Sequence, residues 1–256
     1  SLGADVDGTG AAAAPAAAAA PAAAAGEYTA IKLDVSDKGV MTVKMSRPDK
    51  LNAISFEMYQ ELQKAFDEAA ADKAVKAVVL TGEGSWYSAG NDLSNFTKNM
   101  PPEGPTKLAA DAAEVLESFV DKFIEFPKPL IAAVNGPAVG IPVTTLGLCD
   151  FVFASHTATF ETPFTRLGQA PEACSSVTFP AIMGRTRANE VLLAGRKLHA
   201  AEAKEWGLVN DVFEHSDFHS QVAAFAAKIA SLPPNSMKQS KALIVGHSKE
   251  SLKAVN

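Results

Sequence analysis

Short apolar runs alternate with segments of helical periodicity along this chain, and this alternation constrains the fold more than any other feature. The runs at 74–82 ("AVKAVVLTG") and 129–136 ("PLIAAVNG") are dominated by apolar residues, which indicates buried strands. An amphipathic helical pattern at 107–125 lies between them. Strands joined through a helix pair in parallel, because the crossover needs a dozen or more residues. The sequence therefore predicts an α/β fold with a largely parallel sheet.

The elements on either side extend this pattern. Two alternating runs around Asp37-Lys38-Gly39 predict a hairpin, and 55–71 predicts a helix with Ser55 as its N-cap. Further strands are predicted at 150–155, 158–162 and 208–214, and further helices at 174–183, 185–194, 200–206, 216–231 and 235–246. Helices dominate toward the C-terminus. We therefore divide the chain into a mixed core at 27–200 and a helical C-terminal region at 201–256.

Two segments invite other interpretations. Residues 1–26 contain alanine runs that Pro15 and Pro21 break into pieces too short to form stable helices, so we predict a low-complexity linker there. Residues 129–149 carry no charge and are long enough to span a bilayer. Asparagine, glycine and proline interrupt them, however, and a buried strand, a turn and a helix fit this composition better.

Composition narrows the classes of function. The chain has 256 residues, 47% of them hydrophobic and 20% charged, which is typical of a globular protein with a sizeable core. Its net charge of −6 argues against a nucleic-acid partner. Two cysteines are too few for a disulfide framework, and the five histidines show no metal-ligand spacing. We therefore expect no metal site.

Two glycine-containing loops, within 78–96 and 130–148, each connect a predicted strand to the start of a helix. A helix start leaves backbone N–H groups unpaired, and glycine lets a ligand approach the backbone closely. Such loops can bind an oxygen that gains negative charge during a reaction. Ordinary strand–helix turns would look the same. Neither loop contains a dinucleotide or nucleotide-phosphate fingerprint.

Four ordered segments carry a family resemblance: "RPDKLNAIS" (47–55), "SWYSAGNDL" (85–93), "NGPAVGIPVTTLGLCD" (135–150) and "PFTRLGQAPEACSS" (163–176). Together they resemble the crotonase (enoyl-CoA hydratase/isomerase) superfamily over about residues 29–256. Within it the chain is most similar to the Δ3,Δ2-enoyl-CoA isomerase branch of peroxisomes. The resemblance implies a crotonase-like spiral of repeated ββα units, with a helical C-terminal region that joins subunits into homotrimers. Family members usually continue with further helices, so we expect 201–256 to be truncated.

The resemblance also implies a substrate site. The thioester oxygen of an acyl-CoA would lie between the backbone N–H groups of Ala89 and Ile141, an oxyanion hole whose approach Gly140 shapes. Lys50 or Arg47 could meet a phosphate of CoA, although exposed cations on loops are usually only solvated. The implied substrate-binding residues are Ser88, Ala89, Gly90, Asn91, Asp92, Lys50 and Leu51.

Glu172 is the candidate catalytic residue. Hydratases of the family use two glutamates, but the matching positions here are Thr144 and Phe164, and neither can act as a base. Glu172 lies on the loop that carries the single catalytic acid of the isomerase branch. One carboxylate suffices for isomerisation, because it can remove a proton at C2 and return it at C4. From the residues alone, a helix-capping or solvated acid remains open.

Three other reactive side chains have structural explanations. We expect Asp92 to cap the turn after Ala89, Glu161 to be structural or solvent-facing, and Cys174 to be a buried thiol without a nearby histidine. None of them is a candidate catalytic residue.

The resemblance implies isomerisation of cis- or trans-3-enoyl-CoA to trans-2-enoyl-CoA in the oxidation of unsaturated fatty acids. No metal or redox cofactor is expected, since the substrate carries its own coenzyme A and no electrons are exchanged. The alternatives are enoyl-CoA hydratase or acyl-CoA thioesterase activity, or a non-catalytic acyl-CoA-binding module. The resemblance also implies a peroxisomal location, with the mitochondrion as alternative, although "SLKAVN" is not a peroxisomal address.

Overall fold

The computed structural model describes residues 28–97 and 101–256, so the linker predicted at 1–26 lies outside the described residues. The strands are β1 (Ile31–Val35), β2 (Val40–Met45), β3 (Ala77–Gly82), β4 (Leu130–Val134), β5 (Ala138–Val139), β6 (Phe151–Ser155), β7 (Thr159–Glu161), β8 (Leu198–His199) and β9 (Asp211–Phe213). The helices are α1 (Phe56–Ala71), α2 (Ser94–Thr97), α3 (Pro105–Glu125), α4 (Ile141–Thr144), α5 (Ser175–Met183), α6 (Arg185–Leu192), α7 (Ala200–Glu205), α8 (Phe218–Ala230), α9 (Pro234–Gly246) and α10 (Lys249–Val255).

The larger sheet has the strand order β1-β2-β3-β4-β6-β9. Only its first pair, β1 with β2, is antiparallel, and every later pair is parallel. The predicted parallel sheet is therefore confirmed. Because parallel strands end at the same edge, the loops that follow β3 and β4 leave the sheet side by side. These are the two glycine-containing loops.

A second, three-stranded sheet was not predicted. Strand β5 pairs in parallel with β7, and β8 pairs antiparallel with β7. Two of these strands contain only two residues, too few for an alternating pattern to be visible in the sequence. The small sheet matters because β5 lies directly before α4 and fixes the position of that helix.

Apolar side chains cover both faces of the larger sheet. Helices α1 and α3 lie on one face, where the rings of Phe66 and Phe123 meet edge to face with centroids 5.0 Å apart. Helix α8 covers the opposite face and buries Phe218 and Val222 against strand residues such as Ile131. Each such side chain contributes roughly 1.5–3 kcal/mol when fully buried. The core thus fixes the strand ends that carry the loops.

Most predicted elements are confirmed, and the differences lie at the short ones. Helix α1 begins at Phe56, and the Ser55 hydroxyl accepts the Met58 N–H at 3.3 Å, as predicted for an N-cap. Segment 129–149 forms a strand, a turn and a helix, also as predicted. Helix α10 was not predicted, since seven residues do not form a helix alone, and its contacts stabilise it. Within residues 28–97 and 101–256, no helix combines the length and apolarity needed to cross a membrane.

Candidate active site

The loops that follow β3 and β4 are hydrogen-bonded to each other. The Val139 N–H donates to the Ser88 carbonyl oxygen at 3.0 Å, and Ser88 forms a bridge with Ala138. Ser88 is fully buried, and its hydroxyl donates to the Asn52 carbonyl at 2.7 Å. Ser88 therefore connects three chain segments, and its hydroxyl is already engaged.

Gly90 lies where the two loops approach each other closely. Its φ of +90° belongs to the left-handed region that favours glycine. A Cβ at this position would stand 2.6 Å from the Val139 carbonyl oxygen, which no real packing allows. Glycine at position 90 is thus required both by its conformation and by the backbone opposite.

The start of α4 presents one free backbone donor. The Gly140 N–H donates to the Glu161 carbonyl at 2.8 Å, and residue 142 is a proline without an N–H. The Ile141 N–H lies between them and has no acceptor within residues 28–97 and 101–256. Gly140 has a φ of +70° and open space beside it, so a ligand atom can reach the Ile141 N–H without obstruction. Ile141 therefore supplies the donor, and Gly140 leaves room for its acceptor.

The second predicted donor is engaged in this structure. The Ala89 N–H donates to the Leu51 carbonyl at 2.9 Å. Leu51 and Asn52 both have left-handed backbone conformations, with φ of 52° and 55°. A ligand oxygen could reach the Ala89 N–H only by sharing it with Leu51 or by displacing that carbonyl. The predicted two-donor arrangement thus has one open donor and one covered donor.

Glu172 has an unusual environment for an acid. Its carboxylate forms no hydrogen bond and no ion pair within the described part of the chain; only its backbone carbonyl is bonded, by the N–H and hydroxyl of Ser175 at 3.0 and 2.7 Å. Burial raises the pKa of Glu172 to about 7, since the charged form loses its hydration. A carboxyl that is uncompensated and titrates near neutrality is suited to accept and return a proton.

Backbone strain concentrates in the two loops that flank these groups. Among the described residues, four amino acids other than glycine have positive φ values: Leu51, Asn52, Ala173 and Cys174. The first two face Ala89, and the last two follow Glu172 directly. Each such conformation costs on the order of 1 kcal/mol and persists only where surrounding structure imposes it. Strain of this kind often marks functional sites, which supports a site here.

The positions of the hydratase glutamates hold residues without acid–base chemistry. Thr144 is fully buried in α4, and its hydroxyl donates to the Ile141 carbonyl at 3.1 Å. Phe164 is buried in the apolar core. A carboxylate pair that could hold a water molecule is therefore absent from these two positions.

The remaining predicted contacts divide into engaged and exposed residues. Arg47 forms an ion pair with Asp92 at 2.9 Å and donates to the Ala53 carbonyl, so it organises the loop. Asp92 also accepts the Ser94 N–H at 2.9 Å, which confirms the predicted turn cap. Lys50 and Asn91 are exposed. Of the two candidate cations, Lys50 is the one available to an anionic ligand.

Two other expectations are confirmed. Glu161 is held in ion pairs with Arg166 and with Lys197, the latter at 3.0 Å. Cys174 is buried, its thiol contacts the Leu252 carbonyl at 3.3 Å, and burial raises its pKa to about 11. Burial and the raised pKa both disfavour the thiolate that a nucleophilic role requires.

Sequence reasoning missed Tyr59. It lies on α1, its side chain is 2% exposed, and its hydroxyl has no hydrogen-bond partner within the described residues. Burial, and then the negative charge of nearby Glu172, raise the pKa of this hydroxyl well above its ordinary value. The available signal was its spacing: Tyr59, Leu62 and Phe66 share one helical face, which places a phenolic oxygen in an apolar core.

The chain is similar to several known proteins. The sequence model of the family described as "Enoyl-CoA hydratase/isomerase" matches residues 36–255. The chain is 52% identical over 224 residues to "Enoyl-CoA delta isomerase 2" of Rattus norvegicus, an alignment covering 88% of this chain and 56% of that protein. It is 48% identical over 225 residues to "Enoyl-CoA delta isomerase 3, peroxisomal" of Mus musculus, covering 88% and 70%. The chain thus spans a little over half of the first relative's length.

A solved structure has a similar fold. The crystal structure of an enoyl-CoA hydratase/isomerase from Pseudoalteromonas atlantica T6c superposes with a TM-score of 0.79 at 37% sequence identity. The superposition covers 88% of this chain and 86% of that one. The similarity therefore extends over most of both chains.

Proposed function

The chain belongs to the enoyl-CoA hydratase/isomerase family, and from this premise we propose that it converts cis- or trans-3-enoyl-CoA to trans-2-enoyl-CoA. In this proposal the reaction is an auxiliary step in the oxidation of unsaturated fatty acids. The observation that carries the proposal is Glu172. It is a lone carboxyl with a pKa of about 7, in a site whose two hydratase positions hold Thr144 and Phe164.

In the proposed mechanism, ionised Glu172 removes a proton from C2 of the 3-enoyl thioester. The electron pair of that C–H bond forms the C1–C2 double bond of a dienolate, and negative charge moves to the thioester oxygen. Glu172, now neutral, returns the same proton to C4 while the electrons shift to leave a C2–C3 double bond. Atoms and electrons balance without a redox partner. A site closed to bulk water would keep the abstracted proton on Glu172.

The thioester oxygen would be held by the backbone N–H groups of Ala89 and Ile141. The open Ile141 donor supports this directly, whereas the Ala89 donor has to share or release the Leu51 carbonyl. Donors aimed at a developing oxyanion typically contribute about 2.7–4 kcal/mol each to lowering the barrier. Exposed Lys50 is the proposed contact for a phosphate of CoA. A trimer and a peroxisomal location are part of the same proposal, the latter supported by the name of the mouse relative.

Other activities of the family predict different products. A hydratase needs a held and activated water, and Thr144 and Phe164 offer no carboxylate for it. A thioesterase would release free CoA, and a binding module would release nothing. The test is to incubate the protein separately with 3-hexenoyl-CoA and crotonyl-CoA, and to assay released thiol in both. We expect isomerisation at least about 100-fold faster than hydration, because acid–base catalysis of water attack is missing. Comparable rates, or thiol release alone, would overturn the assignment.

A further inference from the structure

The buried Tyr59 hydroxyl should lower the stability of the fold, and packing does not explain its presence. Its side chain is 2% exposed and its oxygen has no partner within residues 28–97 and 101–256. The great majority of buried side-chain polar groups have a hydrogen-bond partner, because an unsatisfied one destabilises the fold. A phenylalanine would fill the same volume without this cost. The oxygen therefore requires an explanation beyond packing.

The fold holds Tyr59 beside the candidate active site. The Ile54 N–H donates to the Gly90 carbonyl at 2.8 Å, which fixes the start of α1 to the loop that carries Ala89. One turn later the Tyr59 N–H donates to the Ser55 carbonyl at 2.9 Å. The Tyr59 ring packs edge to face on Phe119 of α3, with centroids 4.9 Å apart. The ring is thus enclosed between two helices and keeps its hydroxyl inside.

The charged neighbour of this hydroxyl is Glu172, whose carboxylate also lacks a partner. Other ionisable groups on the packed helices have partners elsewhere or are exposed. Glu61 of α1 accepts the N–H groups of residues 29–31, Lys122 of α3 pairs with Asp67, and Asp121 of α3 pairs with Lys253. Glu57, Glu114 and Glu117 are exposed. A donor without an acceptor therefore lies near an acceptor without a donor.

We propose that Tyr59 is the positioning residue of Glu172, and that its hydroxyl donates through one bridging water molecule to the ionised carboxylate, since the two groups form no direct hydrogen bond. When Glu172 has taken up the substrate proton, the carboxyl group donates through the same water to the phenolic oxygen instead. A hydroxyl can serve both roles, since it is donor and acceptor at once. Tyr59 would then orient the base before each proton transfer. This inference rests on the proposed role of Glu172 as the base.

Removing the Tyr59 hydroxyl should shift the acid limb of the pH profile of kcat/KM, the pH range in which activity falls as Glu172 becomes protonated. A hydrogen bond to a carboxylate favours its charged form, so removing the hydroxyl should raise the pKa of Glu172 by about one unit. In Tyr59→Phe, the acid limb of kcat/KM should move to higher pH by that amount. At pH 7, kcat/KM should fall about fivefold, because a smaller fraction of Glu172 is ionised.

The experiment measures kcat/KM for 3-hexenoyl-CoA between pH 5 and pH 9 in the parent, Tyr59→Phe and Thr178→Val. Thr178 is the matched control: its buried hydroxyl also lacks a partner, but it lines a 340 Å³ cavity against α9 and α10. Thr178→Val should leave the limb in place. If Tyr59→Phe also leaves it in place, the inference is wrong. An inactive parent would instead overturn the proposed function.

A second variant covers the case in which Tyr59→Phe does not fold. Site-specific 3-fluorotyrosine at position 59 keeps the hydroxyl and its volume but makes it a stronger donor. The limb should then move to lower pH. A limb that stays at the parent position in this protein would also contradict the inference.

Discussion

The Val139 N–H donates to the carbonyl oxygen of Ser88 at 3.0 Å, next to the proposed oxyanion donors, and this is one of several hydrogen bonds that join the two loops. Ala89 follows Ser88, and Ile141 follows Val139 by two residues. The separation of their N–H groups is therefore set by the sheet edge and not by a flexible loop. Pre-positioned donors of this kind lower a barrier because they need no reorganisation during the reaction.

Gly90→Ala tests this junction. The added Cβ would meet the Val139 carbonyl at 2.6 Å and would also sit at a φ of +90°, so the loops have to separate. We expect isomerase turnover to fall at least about tenfold, since an error of about 1 Å in placement can cost 10²-fold. Steady-state kinetics with 3-hexenoyl-CoA measures this loss.

Gly104→Ala is the matched control. Gly104 has nearly the same φ, +89°, but nothing lies within 4 Å of its Cβ position. It therefore reports the conformational strain alone, and activity should stay near the parent level. Equal losses in both variants would show that strain, and not the contact between the loops, explains the effect of Gly90→Ala.

The fold could be predicted from the sequence where an element was long enough to show a periodic pattern of apolar residues. The strand patterns at 74–82 and 129–136 and the helix at 55–71 are confirmed, because burial on a regular period determines such elements. Strands β5 and β8 could not be predicted, since pairing partners far along the chain define them.

The site could be predicted only in part. The loops and Glu172 followed from motif resemblance, but the left-handed backbone at Leu51 and Cys174 has no local sequence signal, as neither is glycine. The hydrogen bond from Ala89 to Leu51 and the unpaired Tyr59 hydroxyl depend on tertiary packing. The periodic pattern of apolar residues carries no information about contacts between distant segments of the chain.

Removing one partner of a buried ion pair should lower stability. Lys241 of α9 contacts Asp150 at 2.6 Å and donates to the Lys128 carbonyl at 2.9 Å, and its side chain is only 9% exposed. Lys241→Met leaves Asp150 without its cation, although the Leu130 N–H still donates to it. We expect a loss of roughly 2–4 kcal/mol in the free energy of unfolding, measured by urea titration.

The control for this variant is the exposed pair of Lys107 and Asp111. Lys107→Met should leave the urea midpoint nearly unchanged, because water screens that pair. The double variant Lys241→Met with Asp150→Asn should recover part of the loss, since it removes the uncompensated charge. A Lys241→Met protein as stable as the parent would show that Asp150 is not a buried, uncompensated charge in the variant.

The raised pKa of Glu172 implies a stability cost at high pH. The folded state holds the proton up to about pH 7, whereas the unfolded chain releases it near 4.5. Stability from this group is thus complete below about pH 4.5 and is lost as the pH rises through 7. At pH 8, Glu172→Gln should exceed the parent in unfolding free energy by up to about 3 kcal/mol, with no gain at pH 4.

Thermal or urea unfolding of both proteins at the two pH values measures the difference. Glu103 is exposed, so Glu103→Gln serves as a control and should show no pH-dependent gain. If Glu172→Gln gains nothing at pH 8 relative to pH 4, the carboxylate is not desolvated in solution.

The same substitution should separate binding from turnover. The loops around Ala89 and Ile141 hold the ester in the proposed mechanism, so affinity for a CoA ester should change less than about tenfold. Turnover should fall by at least about 10³, because one group serves both proton steps. Glu172→Asp should rescue activity only partly, since the shorter side chain moves the carboxylate by roughly 1 Å. Equal losses of affinity and turnover would indicate a binding role for Glu172.

The most direct test of the proposed mechanism starts from a 3-enoyl-CoA deuterated at C2 and follows the loss of deuterium from C2 by NMR, in the parent and in Glu172→Gln. Loss from C2 reports removal at that carbon, whether the deuteron is returned to C4 or released to water. If Glu172 is the base, loss from C2 and isomerisation should both fall by at least about 10³ in the variant, while the bound ester remains detectable. Loss from C2 at the parent rate in Glu172→Gln would contradict the mechanism, since another group would then remove the proton.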